Sequence, residues 1–143
     1  MRLLRFSLLL LIGLVALAAC SAPCDEQVTA FAASANDITA RYDALLENMR
    51  IESLLFDLRA LKEEADGLDA PTCGGNELAA ASMKVKESLG LYLDQSIHAF
   101  TLLTTETSDT QGETNAAYSE AEGSRQQYAV DMSRLSAALE TTQ

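Results

Sequence analysis

Few side chains in this chain of 143 residues could do chemistry, and the single histidine is the first to consider. His98 follows Asp94 by one helical turn, so the two could serve as a general base and its acid partner. His98 is expected, however, on the helix face opposite the apolar residues. A solvated histidine beside an aspartate is far commoner there than a catalytic pair. The pattern therefore predicts no catalytic residues and a protein that is not an enzyme.

Arg125 occupies an apolar-stripe position in the last amphipathic segment, between Ala121 and Tyr128. A guanidinium in a helical core needs a carboxylate or carbonyl partner, because leaving a buried charge unpaired is strongly destabilising. Three interpretations stay open. Arg125 could form a buried ion pair, contact an anionic ligand, or extend its charge to the edge of the bundle.

Carboxylates cluster near the end of the second predicted helix, and oxygen ligands of this kind can hold Ca²⁺. They belong to Glu63, Glu64, Asp66 and Asp69. Their spacing does not match an EF-hand loop, and the Glu-x-x-His pairs of di-iron bundles do not occur in the sequence. We therefore expect a solvated helix end, with no bound metal.

All four tyrosines of the chain fall on predicted inner helix faces. They are Tyr42, Tyr92, Tyr118 and Tyr128. Buried tyrosine hydroxyls need a hydrogen-bond partner or a place at the rim of the core. Core packing is the expected role, and a tyrosine-lined ligand cleft between helices is the alternative.

The first 20 residues have the pattern of a secretory leader. Arg2 and Arg5 precede an apolar run from Phe6 to Cys20. A run of about 15 residues is shorter than the ~20 that a helix needs to cross a bilayer, which favours a signal peptide.

The run ends in residues that resemble the lipobox of bacterial lipoproteins, Leu17-Ala18-Ala19-Cys20. This resemblance implies that residues 1–19 are removed and that a covalent lipid on Cys20 anchors the chain to the membrane. Ser21 is not the aspartate that holds many lipoproteins in the inner membrane. In a cell with two membranes, the resemblance thus favours the periplasmic face of the outer one. Ordinary signal cleavage near Ala19 or Ala22 and an uncleaved anchor are the alternatives.

With Cys20 lipidated, Cys24 and Cys73 remain as a pair, and an extracytoplasmic compartment permits a disulfide between them. Such a bridge would close a loop of about 50 residues. A metal site is a poor alternative, because the sequence has no Cys-x-x-Cys. Only residues 20–25 would connect the lipid to the domain at 26–143, which would therefore sit close to the headgroups.

Apolar residues of the mature chain recur in steps of three and four, which predicts amphipathic helices. One stripe runs from Val28 to Met49, and a second runs from Ile51 to Leu68 in a different phase. This change of phase predicts two separate helices, with a reversal of the chain near residues 48–50. A Cys24–Cys73 disulfide requires the same reversal, because one continuous helix would hold the cysteines about 58 Å apart.

Two longer helices are predicted in the second half of the chain. The third runs from about Glu77 to Thr105, with Asn76 as its N-cap and Ser96 as a small residue that permits close helix packing. A loop rich in Thr, Ser and Asp leads to the fourth helix, at about Thr114 to Glu140. The predicted inner stripe of this fourth helix is Thr114, Tyr118, Ala121, Arg125, Tyr128, Met132, Leu135 and Leu139.

Four such helices with short connections predict an all-α fold, a four-helix up-down-up-down bundle. A three-helix bundle with a long kinked first helix is the alternative. The up-down order would place Cys24, Cys73 and the C-terminal Gln143 at the membrane-proximal end.

The acidic charge balance excludes two classes of interaction. Without Arg2 and Arg5, 8 of the 10 basic residues remain against 21 acidic ones, a net charge of −13. Phosphate backbones and anionic headgroups repel such a domain, so neither nucleic acid binding nor attachment through a basic patch is expected. The sequence favours a non-enzymatic envelope lipoprotein that binds a protein or a small ligand. The alternative is a metal- or small-ligand-dependent sensor or enzyme that uses the bundle interior or the acidic cluster.

Overall fold

The computed structural model describes residues 22–48, 51–105 and 111–141, with only the backbone at 51 and 52. Cys20 and residues 1–19, the predicted leader, lie outside these ranges, as does Gln143. The described residues form four α-helices: α1 (Cys24–Glu47), α2 (Ile51–Asp66), α3 (Gly75–Thr104) and α4 (Gln111–Thr141). The predicted all-α four-helix bundle is confirmed. The three-helix alternative is wrong, because the first two stripes belong to separate helices.

The reversal after α1 depends on Asn48, although neither glycine nor proline marks it. The backbone N–H of Asn48 donates to the Ala44 carbonyl at 3.3 Å, and its side-chain amide donates to the same oxygen at 3.0 Å. Both donors satisfy a carbonyl that the end of the helix would otherwise leave open. The chain therefore turns at the position that the phase slip predicted.

The segment from Gly67 to Gly74 connects α2 to α3 at the same end of the bundle as the start of α1. Lys86 donates a hydrogen bond to the Leu68 carbonyl, which ties this connection to α3. Gly74 has φ 76°, and a Cβ atom there would lie 2.9 Å from the Cys24 sulfur and 2.5 Å from a Leu78 methyl group. Only glycine fits this left-handed, crowded position.

The predicted N-cap at Asn76 is wrong. The cap is Gly74, and α3 already begins at Gly75. The left-handed turn at Gly74 redirects the chain into the helix earlier than the polar side chain of Asn76 suggested.

Cys24 and Cys73 are paired as predicted, with their Cα atoms 5.7 Å apart. The bond joins the first residue of α1 to the segment just before α3. Because α2 returns the chain to this point, α1 and α2 are antiparallel, and α1 and α3 begin side by side. We call this end of the bundle the disulfide end.

The core lies between the four helices and follows most of the predicted stripes. Its large members are Val28, Phe31, Ile38, Tyr42, Leu54, Leu58, Leu61, Leu78, Val85, Leu89, Tyr92, Leu93, Phe100, Tyr128 and Leu135. The stripes of α1 and α2 are confirmed wherever their side chains are described. Leu45 and Leu68, near the ends of these two stripes, are half-buried.

The contact between α3 and α4 is the most extensive in the fold and is made largely through small side chains. Buried small residues on the two helices are Ser82, Ser88, Ser96 and Ala99 on α3, and Ala117, Ala121, Ser124 and Ala138 on α4. The Ser96 hydroxyl donates to the Tyr92 carbonyl at 2.8 Å, so its burial leaves no polar group open. The prediction that Ser96 is a small residue on the inner face of α3 is confirmed.

The predicted α4 stripe is wrong at Arg125, which is exposed. Thr114, Ala121, Tyr128 and Leu135 are buried, and Tyr118, Met132 and Leu139 are half-buried and pack against the core. The buried face of α4 is wider than the stripe, because it also includes Ala117, Ser124, Asp131 and Ala138. The small members of this set suit a helix that approaches α3 closely.

The helices differ in length, and the difference falls at one end. With 24 residues α1 is about 36 Å long, and with 30 residues α3 is about 45 Å long. Both begin at the disulfide end, so α3 extends about 9 Å beyond α1 at the opposite end. None of the described helices combines the length and apolar character that crossing a bilayer requires.

The disulfide is expected to be a main contributor to stability. Replacing both Cys24 and Cys73 by alanine should lower the free energy of unfolding by about 4 kcal/mol, because the unfolded chain regains the entropy of an open loop. Urea unfolding of oxidised and variant protein measures the change. Equal unfolding midpoints would contradict the prediction.

The close α3–α4 contact can be tested with neighbouring alanines. Ala117 is buried, so Ala117→Leu should destabilise the fold by about 1 to 3 kcal/mol through overpacking. Ala116 is exposed, so Ala116→Leu is the matched control and should change the free energy of unfolding little. Thermal unfolding of the two variants measures the difference in their stability. A similar loss in both would mean that the α3–α4 contact is not close.

Candidate functional site

A cleft of about 320 Å³ opens between α1, α3 and α4. The contact between α1 and α4 is the least extensive of the five contacts between the described helices, and the cleft lies along it. Its lining residues are Tyr42, Asp43 and Leu46 from α1, Tyr92 and Phe100 from α3, and Tyr118, Ala121, Glu122 and Arg125 from α4. Three of the four tyrosines and Arg125, which the sequence pattern singled out, thus come together here.

Two pairs of aromatic rings form much of the cleft wall. The ring centroids of Tyr42 and Tyr92 are 4.9 Å apart, with the rings tilted by 57°. Those of Phe100 and Tyr118 are 5.5 Å apart in an edge-to-face arrangement. Both geometries suit the ring quadrupoles, so each pair holds its members in place without a ligand.

Arg125 lies at the rim of the cleft. Its Nε and Nη2 atoms donate to the Glu122 carboxylate at 2.8 and 2.9 Å, and its side chain is 54% exposed. The buried ion pair considered for Arg125 is therefore wrong, because Ser124 takes the inward position of this turn. Arg125 extends its charge to the edge of the bundle, which is the third of the interpretations that the sequence left open.

The pair between Arg125 and Glu122 stays ionised over the ordinary pH range. Hydrogen bonds from Arg125 and then from Gln126 lower the pKa of Glu122 to about 2. The bond to Glu122 likewise raises the pKa of Arg125. Within the cleft the two charges therefore neutralise each other.

Asp43 is a cleft residue that the sequence pattern did not indicate. It follows Tyr42 directly and is exposed, and its carboxylate forms no hydrogen bond or ion pair with the part of the chain that the structure describes. Its position next to Tyr42 was the only feature of the sequence that could have indicated a place in the cleft. Arg125 feels the charge of Asp43 as well as that of Glu122, and the two carboxylates and one guanidinium leave the lining with one net negative charge.

Tyr92 lies at the floor of the cleft and is 3% exposed. Burial is the main cause that raises the pKa of Tyr92, and the neighbouring Tyr42 and Asp43 act in the same direction. Arg125 opposes them weakly. The Tyr92 hydroxyl is therefore held neutral.

Tyr128 does not line the cleft. Its hydroxyl donates to the Asn36 side-chain oxygen at 3.3 Å, and burial raises its pKa. Tyr128 thus has the core-packing role that the sequence favoured, while the other three tyrosines lie in the cleft.

The remaining candidates do not assemble into a site. His98 is exposed as predicted, and Asp94 is paired with Lys62 at 3.4 Å instead of with His98. In the acidic cluster, Arg41 binds Glu64 through two hydrogen bonds of 2.6 and 2.9 Å. Lys62 also binds Asp66 at 2.6 Å. Residues 22–48, 51–105 and 111–141 contain no group of three or more metal-ligating side chains placed to hold an ion.

Asp131 is a buried carboxylate that the sequence pattern did not place in the core. It accepts hydrogen bonds from Gln127 at 3.1 Å and from Arg134 at 3.3 Å, while its own side chain is 4% exposed. Both donors lie on the same helix, within one turn on either side. These local donors allow a carboxylate on the buried face of α4, next to Met132.

Comparisons with protein-family models, curated proteins and solved structures found no match to this chain.

The raised pKa of Tyr92 makes a prediction about alkaline stability. Because its pKa in the folded state lies above the ordinary value of 10.0, the associated stability is complete below pH 10 and is lost as the pH rises above it. Tyr92→Phe should therefore lose less stability than the wild type above pH 10. Urea unfolding on both sides of pH 10 measures this difference. Equal losses in both proteins would contradict the role assigned to Tyr92.

Proposed function

We propose that the protein is a lipid-anchored bacterial envelope protein whose helical bundle binds a partner and catalyses no reaction. The observation that carries the anchoring proposal is the position at which α1 begins. Only residues 21–23 separate Cys20 from Cys24, the first residue of α1. A lipid on Cys20 would therefore be attached almost directly to the folded domain.

The disulfide adds to this argument. It bonds the first residue of α1 to the segment before α3, so the attachment point belongs to two helices instead of one. A lipidated Cys20 would hold the disulfide end at the membrane and direct the opposite end of the bundle away from it. The stable attachment itself would come from two or three acyl chains, because a single chain binds membranes only marginally.

The binding role is supported by the cleft. Its walls are aromatic rings held by their neighbours, and its charged residues lie at the rim. A small, largely preformed apolar concavity with a few polar groups is typical of a ligand site. The cleft begins at Tyr42, 18 residues along α1 from Cys24, or about 27 Å from the disulfide end. It would therefore be open to the envelope space.

Lipidation is tested by labelling. Cells that express the wild-type chain should incorporate radiolabelled palmitate into it, and Cys20→Ala should abolish the label, because no thiol remains for the thioether. Cys24→Ser is the matched control. It removes the disulfide but leaves the lipobox intact, and it should keep the label. Equal labelling of wild type and Cys20→Ala would overturn the proposed anchoring.

A further inference from the structure

The charges of the cleft favour a positively charged ligand. Glu122 accepts hydrogen bonds from two of the five N–H groups of Arg125, so an anion that approached the guanidinium would also meet the charge of this carboxylate. The Asp43 carboxylate has no hydrogen bond or ion pair with the described residues, and although its charge also acts on Arg125, the lining as a whole keeps one net negative charge. The mature chain also carries a net charge of −13, which attracts cations from a distance.

The aromatic walls favour a cation with an apolar surface. A cation over the face of a tyrosine or phenylalanine ring is attracted by the ring quadrupole, most strongly where water is excluded. Tyr42, Tyr92 and Phe100 are largely buried, while Tyr118 is half-exposed. Leu46 and the methyl group of Ala121 complete an apolar lining that a strongly hydrated inorganic ion would not use.

The size and position of the cleft limit the source of such a cation. A volume of about 320 Å³ suits a small molecule. If Cys20 is lipidated, the cleft lies about 27 Å along α1 from the anchored end, out of reach of lipid headgroups. A free solute therefore fits better than part of a membrane.

We propose that the cleft between α1, α3 and α4 binds a small alkylammonium ion, with Asp43 as its counter-charge and the aromatic rings around its alkyl groups. This inference deepens the binding role proposed above and rests on it. The paired Arg125 and Glu122 then form one edge of the site and add no net charge to it.

Choline is a suitable probe, and 3,3-dimethylbutanol is its matched control. The two have nearly the same shape, but a carbon atom replaces the charged nitrogen in the control. The chain has no tryptophan, and three of its four tyrosines line the cleft, so tyrosine fluorescence of the purified mature protein should report binding. We expect saturable binding of choline, and about tenfold weaker binding of the neutral control.

Two variants in the cleft and one control variant test which charged residues act on the cation. Asp43→Asn should weaken choline binding about tenfold and leave the neutral control unchanged, because only the counter-charge is lost. Asp25→Asn removes the same charge at the disulfide end and should change neither. Arg125→Gln should tighten choline binding, since it releases the Glu122 carboxylate. All three residues are exposed, so these variants are expected to fold.

Four results would overturn the inference. Equal affinity for choline and 3,3-dimethylbutanol would mean that charge plays no part. Weaker choline binding in Arg125→Gln would mean that the guanidinium itself contacts the ligand. Binding to vesicles of phosphatidylcholine without binding of free choline would make the ligand a lipid. If choline does not bind but palmitate still labels Cys20, the ligand inference fails while the proposed anchoring stands.

Discussion

The covalent bond between Cys24 and Cys73 joins two parts of the chain that noncovalent packing holds less firmly than the rest. The shortest helix, α2, has 16 residues, and α1 contacts α4 only loosely. The bond fixes where α1 begins relative to α3, and Gly74 gives it the space it needs. The bond also fits the antiparallel arrangement of α1 and α2, which returns the chain from Cys24 to Cys73.

The other half of the fold is organised differently. Small side chains such as Ser96 and Ala117 bring α3 and α4 close together along much of their length. Bulky rings, among them Tyr42 and Tyr118, stand where α1 meets this pair and prevent an equally close approach. A tight contact on one side and a loose one on the other leave the concavity between α1, α3 and α4. The cleft is therefore a consequence of where the chain places its small and its aromatic residues.

Much of the fold could be predicted from the sequence, because the apolar residues of α1 and α2 are bulky and recur on only one face of each helix. Residues such as Leu54 and Leu58 can face only one way. The helix α4 is different, since alanine and serine occur on several of its faces and two phases fit nearly as well. Whether Ser124 or Arg125 points inward is decided by contact with α3. Tyr42, Tyr92 and Tyr118 could be named in advance, but Asp43 could not, because its place in the cleft depends on the spacing of the helices.

The uneven distribution of contacts also bears on the order in which the fold forms. Contacts between α3 and α4 join segments that are neighbours in the chain, and closing their short connection costs little entropy. We expect this hairpin to form first and α1 and α2 to dock onto it afterwards. In this order of folding, the thiols of Cys24 and Cys73 meet late, when the native topology has already brought each to its partner.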